Sequence, residues 1–133
     1  MIQTDKEFEE LKLRLSKAEE LLDKQRKSLE TAGLSGAEIE RAMAPTISFN
    51  MQLQDELEFY KDLKEGKLPS ASNFATRGQM LIALRIAKGL SQRELAERLN
   101  VAEAQVERDE RNEYHGVTAD RVRKILDALE PKP

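Results

Sequence analysis

Residues 101–111, VAEAQVERDER, crowd Glu103, Glu107, Asp109 and Glu110 around two guanidinium groups, Arg108 and Arg111. Arginine carries a planar fork of donors that fits the O6/N7 edge of guanine or a phosphate group. Gln105 has the donor and acceptor needed to pair with adenine or to bridge to phosphate, and Glu103 can accept a hydrogen bond from cytosine N4. The carboxylates oppose any contact with a polyanion, so the direction in which each one points decides what this stretch can hold. Catalytic chemistry is not expected. There is no Cys, hence no disulfide framework and no thiolate metal site. His115 is the only His and lies in the turn-like EYHGVT, which leaves neither a Ser–His–acid constellation nor a His-based metal cluster. No glycine-rich phosphate loop is present. Catalytic residues, metal and cofactors are all expected to be absent.

The elements that must carry these side chains are legible around them. GLSQRELAERLNVAEAQVERDE has the spacing of two helices joined by a three- or four-residue turn. Leu95, Ala96 and Leu99 share a face of the first helix, Val101 falls in the turn, and Val106 faces back from the second. Ala96 is small where the helices must cross closely. Such a pair lets its second helix stand out from the body and enter a major groove about 12 Å wide. TRGQMLIALRIAKG before it and TADRVRKILDAL after it read as flanking helices. Gly89 closes the first of these, while Ser91 and Thr118 are N-cap residues for the helices that follow them. Val122, Ile125, Leu126 and Leu129 line one face of the last helix, as domain core or in part as a dimer surface. Tyr114 is expected to pack beneath that helix. No alternating pattern long enough for a strand appears.

The first half of the chain differs in pattern. Phe8, Leu11, Leu15, Ala18, Leu22, Gln25 and Leu29 follow steps of three and four, a heptad seam in a helix from about Thr4 to Ala32. Gly33 is a C-terminal stop. Ser35 with Glu38 forms a capping-box pattern that opens a second helix. Pro45 is expected to break or kink it, after which Phe49, Leu53, Leu57, Tyr60 and Leu63 take one side. EGKLPSASN reads as a linker. The fold class expected is all-α, with an N-terminal antiparallel helical hairpin over 1–66, a linker over 67–73 and a compact helical domain over 74–130 that folds without residues 1–65. Phe8, Leu11, Leu15, Leu22 and Leu29 serve either packing within the hairpin or a coiled-coil dimer.

Residues 81–110 carry a family resemblance. Leu81, Arg85, Gly89–Gln92 (GLSQ), Leu95–Ala96, Leu99, Val101, Val106 and Glu110 resemble the xenobiotic-response-element family of lambda Cro and repressor-like helix-turn-helix proteins, with the match covering 74–130. The resemblance implies a five-helix domain that binds double-stranded operator DNA, usually as a homodimer. It implies that Arg85 and Glu110 form a structural ion pair, and that Ser91 and Gln92, with Arg93 beside them, open the phosphate-contacting helix. Glu103, Ala104 and Arg108 fall on base-reading positions, with Gln105 and Arg111 alongside. The wider layout resembles bacterial regulators and antitoxin-like proteins.

The chain departs from that pattern at three places. Ala102 replaces the usual Ser or Thr cap of the reading helix, a loss of about 1 kcal/mol. Glu103 repels nearby phosphates. Asp109 stands where an apolar anchor is usual; either it pairs with Arg85 or Arg111, or the helix rotates slightly. Glu107 and Glu110 are expected to face the arginines of the preceding helices. Residues 74–130 hold ten basic and ten acidic side chains, while 1–73 hold eleven against fifteen. A neutral domain binds a half-site weakly, because affinity for DNA draws on phosphate neutralisation. The expected function is a dimeric transcriptional repressor. The alternative is an antitoxin-like protein whose acidic N-terminal helices hold a basic, toxin-like partner. The polar N-terminus and the lack of a long apolar run point to a cytoplasmic protein without membrane contact.

Overall fold

The computed structural model describes residues 1–70 and 74–130, and all its regular structure among them is helical: α1 (Asp5–Thr31), α2 (Gly36–Lys64), α3 (Arg77–Ala87), α4 (Gln92–Leu99), α5 (Glu103–Arg111) and α6 (Ala119–Leu129). The chain divides into two compact units. No helix among the described residues is long and apolar enough to cross a membrane.

One unit is the hairpin, running from Thr4 to Phe59 and including Ile2. Thr4 caps α1, its hydroxyl accepting from the Glu7 N–H at 3.2 Å, and Asp5 and Glu7 complement the positive end of the helix. At the other end Gly33 takes φ 89°, a conformation that costs glycine nothing. Gly33 N–H then bonds to the Glu30 carbonyl at 3.0 Å, and Leu34 N–H to the Leu29 carbonyl at 3.2 Å. This closes the last turn of α1 and reverses the chain. Ser35 and Glu38 exchange bonds of 3.0 and 3.3 Å, a reciprocal cap that starts α2. A pair of helices has one stripe each to bury. On α1 Leu15 is buried, Phe8, Leu11, Ala18, Leu22 and Leu29 are half-buried, and Gln25 is exposed.

Two expectations for α2 are corrected. The helix continues through Pro45 from Gly36 to Lys64. Its inward stripe is Ile39, Met43, Ile47, Asn50, Leu53 and Leu57, while Phe49 is 55 % exposed. The two corrections share one cause. In an unbroken helix, Ile39 and Met43 fix the phase, and steps of three and four from them land on Asn50 and Leu57. Phe49 lies one residue, or 100°, off that line.

The second unit contains α3–α6, and also Met1, Gln3 and the end of α2 from Tyr60. The unit thus reaches beyond the expected bounds of 74–130. The expected linker, 67–73, lies partly outside the described residues. Residues 74–130 hold four helices among the described residues rather than five; the fifth helical piece of the unit is the end of α2. The stretch 112–116 turns instead of coiling, with Glu113 and Tyr114 both left-handed at φ 51° and 53°. The core is assembled from Leu63, Leu81, Ile82, Ile86, Leu95, Val106, Ile125 and Leu129, all nearly inaccessible to solvent. α4 packs on α5 and α6, and α3 on α6. Gly78, in the first turn of α3, is pressed against the Glu113 carbonyl so closely that a Cβ there would overlap the oxygen.

Candidate nucleic-acid interface

α4 and α5 are joined by residues 100–102, with Asn100 in the left-handed region at φ 58° ending α4. Ser91 and Glu94 make a complete capping box at the start of α4, with bonds of 3.0 and 3.2 Å. Ala102 at the start of α5 gives no side-chain cap, so the first N–H groups of α5 are left without one.

Burial sorts the residues of α5 by direction. Val106 and Glu110 are fully inside. At 100° per residue the opposite side is centred on Arg108, with Ala104 and Arg111 next to it, and all three are exposed. Gln105 sits half-buried on the flank, and Glu103 is exposed in the first turn. Each carboxylate can then be followed. Glu110 is buried against Arg85, and Asp109 bonds Arg121 of α6 at 2.7 Å, not Arg85 or Arg111 as expected. Glu107 is half-buried on the flank and, among the described residues, makes no ion pair with an arginine, contrary to expectation. Arg108 and Arg111 are likewise without an ion-pair partner among the described residues. The outward face of this acidic helix is therefore its basic one.

The network under α5 is continuous. Arg85 Nε donates to Glu110 Oε2 at 2.6 Å and Nη2 to Oε1 at 2.8 Å. Arg85 Nη1 donates to the Leu90 carbonyl at 2.8 Å, and Nη2 also to the Gln3 carbonyl at 2.6 Å. Gln92 Nε2 donates to Glu110 Oε1 at 2.9 Å, and Gln3 Nε2 to the Glu110 carbonyl at 2.6 Å. A buried pair met this fully by hydrogen bonds tolerates its desolvation; removing one partner typically costs about 3–5 kcal/mol. Tyr114 lies close by, and burial, followed by the Glu110 charge, pushes its phenol well above the ordinary tyrosine range.

Gln92 opens α4 as the resemblance implied, but its side chain turns inward. Its side chain is 6 % exposed and spent on Glu110, so it does not project toward a ligand. Ser91 and Arg93 are exposed at the start of α4, and Arg93 makes only a 3.5 Å contact with Glu97. His115 is exposed in the turn, beside an open groove lined by Gln105, Asp109, Thr118 and Arg121. No group of metal-binding side chains occurs among the described residues. Sequence reasoning missed Gln3, which lies 82 and 107 positions from its partners and carries no local signal. It also missed the Asp109–Arg121 pair and the close approach at Gly78.

This arrangement of helices defines a class before it defines a function. Residues 81–132 match the helix-turn-helix family model, and that stretch is a helix-turn-helix domain of the xenobiotic-response-element type. It is a DNA-binding regulatory domain, not a catalytic one. No curated protein and no solved structure matches the chain.

Proposed function

We propose that the protein is a sequence-specific transcriptional repressor that acts as a homodimer on a palindromic operator. The observation that carries this reading is the outward face of α5, where Ala104, Arg108 and Arg111 are exposed and both arginines lack an ion-pair partner among the described residues. Arg108 reads a base edge, Gln105 and Arg111 contact a base or the backbone beside it, and Ser91, Arg93 and the free N–H groups at the start of α4 hold phosphate. Glu103 selects against backbone positions that bring phosphate to the first turn of α5 and accepts from cytosine where the register is right.

Dimerisation follows from charge. Residues 74–130 are neutral overall, so a single half-site gives little counterion release. Two domains held together place the second half-site at high effective concentration. The hairpin supports self-association through Leu13, Leu21, Phe49 and Met51, which are large, apolar and exposed. The same side chains, with the acidic balance of residues 1–73, support the second reading, an antitoxin-like protein whose hairpin holds a basic partner. The experiment is binding of the full chain to its own promoter region against a random duplex across a salt series. Preference for the promoter at moderate salt supports the repressor; equal binding at every salt concentration rejects it in favour of the partner-binding protein.

A further inference from the structure

We infer that Gln3 is a positioning residue for DNA reading: it fixes the C-terminal end of α5 by holding the main chain of Glu110 and, at the same time, the guanidinium of Arg85. The inference rests on the reading of α5 as the DNA-contacting helix. Gln3 is 9 % exposed and is counted by its contacts into the helix-turn-helix unit. Its side-chain amide donates to the Glu110 carbonyl at 2.6 Å. That carbonyl belongs to the last turn of α5 and also accepts from the Glu113 N–H at 2.9 Å, so Gln3 adds a bond from outside the local chain to one made within it. Its own carbonyl accepts from Arg85 Nη2 at 2.6 Å. A single residue thus bridges α3 and α5 from outside both.

The consequence for the reading face is geometric. Glu110 is held through its carboxylate by Arg85 and Gln92, and through its main chain by Gln3. The carboxylate contacts pass through a side chain with rotatable bonds. The Gln3 contact is made directly to the backbone, and so limits how α5 slides or turns about its axis. Arg108 and Arg111 stand two positions before Glu110 and one after it, so a small rotation there displaces both exposed guanidinium groups from one side of the helix. The missing cap at Ala102 raises the importance of this anchor, since the N-terminal end of α5 has no side-chain capping bond and is held there by the packing of Val106.

The test uses the full chain with Gln3→Met, which fills the same volume without a donor, and Gln3→Ala. Three quantities are read: melting temperature, the nitrogen–proton NMR resonances of Glu107–Asn112 and of Arg85 Nε, and affinity for the promoter duplex. The expected result is that both variants fold, shift the resonances of α5 and Arg85, and lose promoter affinity by about 5- to 10-fold, the size of one lost hydrogen bond. Wild-type resonances in Gln3→Met overturn the inference, because the side chain would then only fill space. So does an unchanged promoter affinity in Gln3→Met when the wild type binds its promoter specifically. If the wild type shows no promoter preference, the repressor reading fails by itself, and shifted or unshifted resonances still uphold or overturn the placement of α5 by Gln3.

Discussion

Replacing Gly78 by Ala opposes two effects whose sizes differ enough to settle the sign. In an open helix the change favours folding by about 0.8–1.0 kcal/mol, the difference in helix propensity. Gly78 is not in the open. A Cβ there would overlap the Glu113 carbonyl oxygen and stand 2.5 Å from the carbonyl carbon, where ordinary contact begins near 3.4 Å. Both obstacles are backbone, so no side-chain rotation relieves them. The turn must retreat by about an ångström, yet it holds two consecutive left-handed residues and carries buried Tyr114 into the core. Overpacking a well-filled site costs about 1–3 kcal/mol even where side chains can adjust. With a fixed carbonyl as the obstacle, we expect Gly78→Ala to be destabilising by about 3 kcal/mol or more. On a domain of this size that lowers the melting temperature by more than about 12 °C. Thermal unfolding followed by circular dichroism reads this directly, with Gly36→Ala as control, since a Cβ at Gly36 meets nothing within 4 Å. A Gly78→Ala protein that melts at or above the wild-type temperature would refute the argument, for the propensity term would then have won.

Three further perturbations test other parts of the argument. Arg108→Ala should weaken promoter binding by about 1–3 kcal/mol and relax preference at one base position; a binding screen over single-base operator variants that finds the preference intact would remove Arg108 from the base-reading set. Tyr114 is held neutral by burial in the folded state, whereas in the unfolded chain it ionises near pH 10. Its contribution is therefore complete below about pH 10 and is lost as pH rises further, so Tyr114→Phe should flatten the alkaline fall in stability, and equally steep denaturation curves in both proteins would contradict this. Asn50 is buried on the inward stripe of α2 and its Nδ2 has no hydrogen-bond partner. Asn50→Leu should raise stability by about 1–3 kcal/mol, and a lower denaturation midpoint would show that the amide is satisfied.

How much of this was legible depended on how far each determinant reached along the chain. The caps at Ser35, Ser91 and Thr118 act over three residues, and each is written in the sequence and present in the structure. On α2 only Phe49 was misplaced, because one local signal, Pro45, was allowed to reset the helical phase that Ile39 and Met43 carry through it; Leu53, Leu57, Tyr60 and Leu63 lie inward as expected. The lost N–H of a single proline is outweighed when the residues on both sides bury a common stripe. Gln92 was misdirected for a different reason. Its place at the start of α4 resembles that of an outward contact, yet Glu110, eighteen residues on, draws its amide inward. Gln3, at the greatest separation of all, was invisible to any local reading.

An acidic DNA-reading helix becomes reasonable once charge is assigned by direction instead of by count. Four carboxylates and two guanidinium groups lie between Glu103 and Arg111. Two of the carboxylates, Asp109 and Glu110, are taken up by Arg121 and Arg85, which come from other helices. What remains toward solvent is Arg108 and Arg111 on one face, Glu107 on its flank and Glu103 at one end. The sum is zero, but its distribution is not uniform. A helix with a basic centre and an acidic first turn gains from a phosphate or guanine at one place and loses from a phosphate a turn away. Over random sequence these contributions largely cancel, and non-specific binding, which depends on total phosphate neutralisation, stays weak. At a site where a base edge meets Arg108 and no phosphate meets Glu103, only the favourable part survives. On the proposed reading, the helix trades overall affinity for a steep dependence on register, and pairing two such domains on one operator would recover the lost affinity.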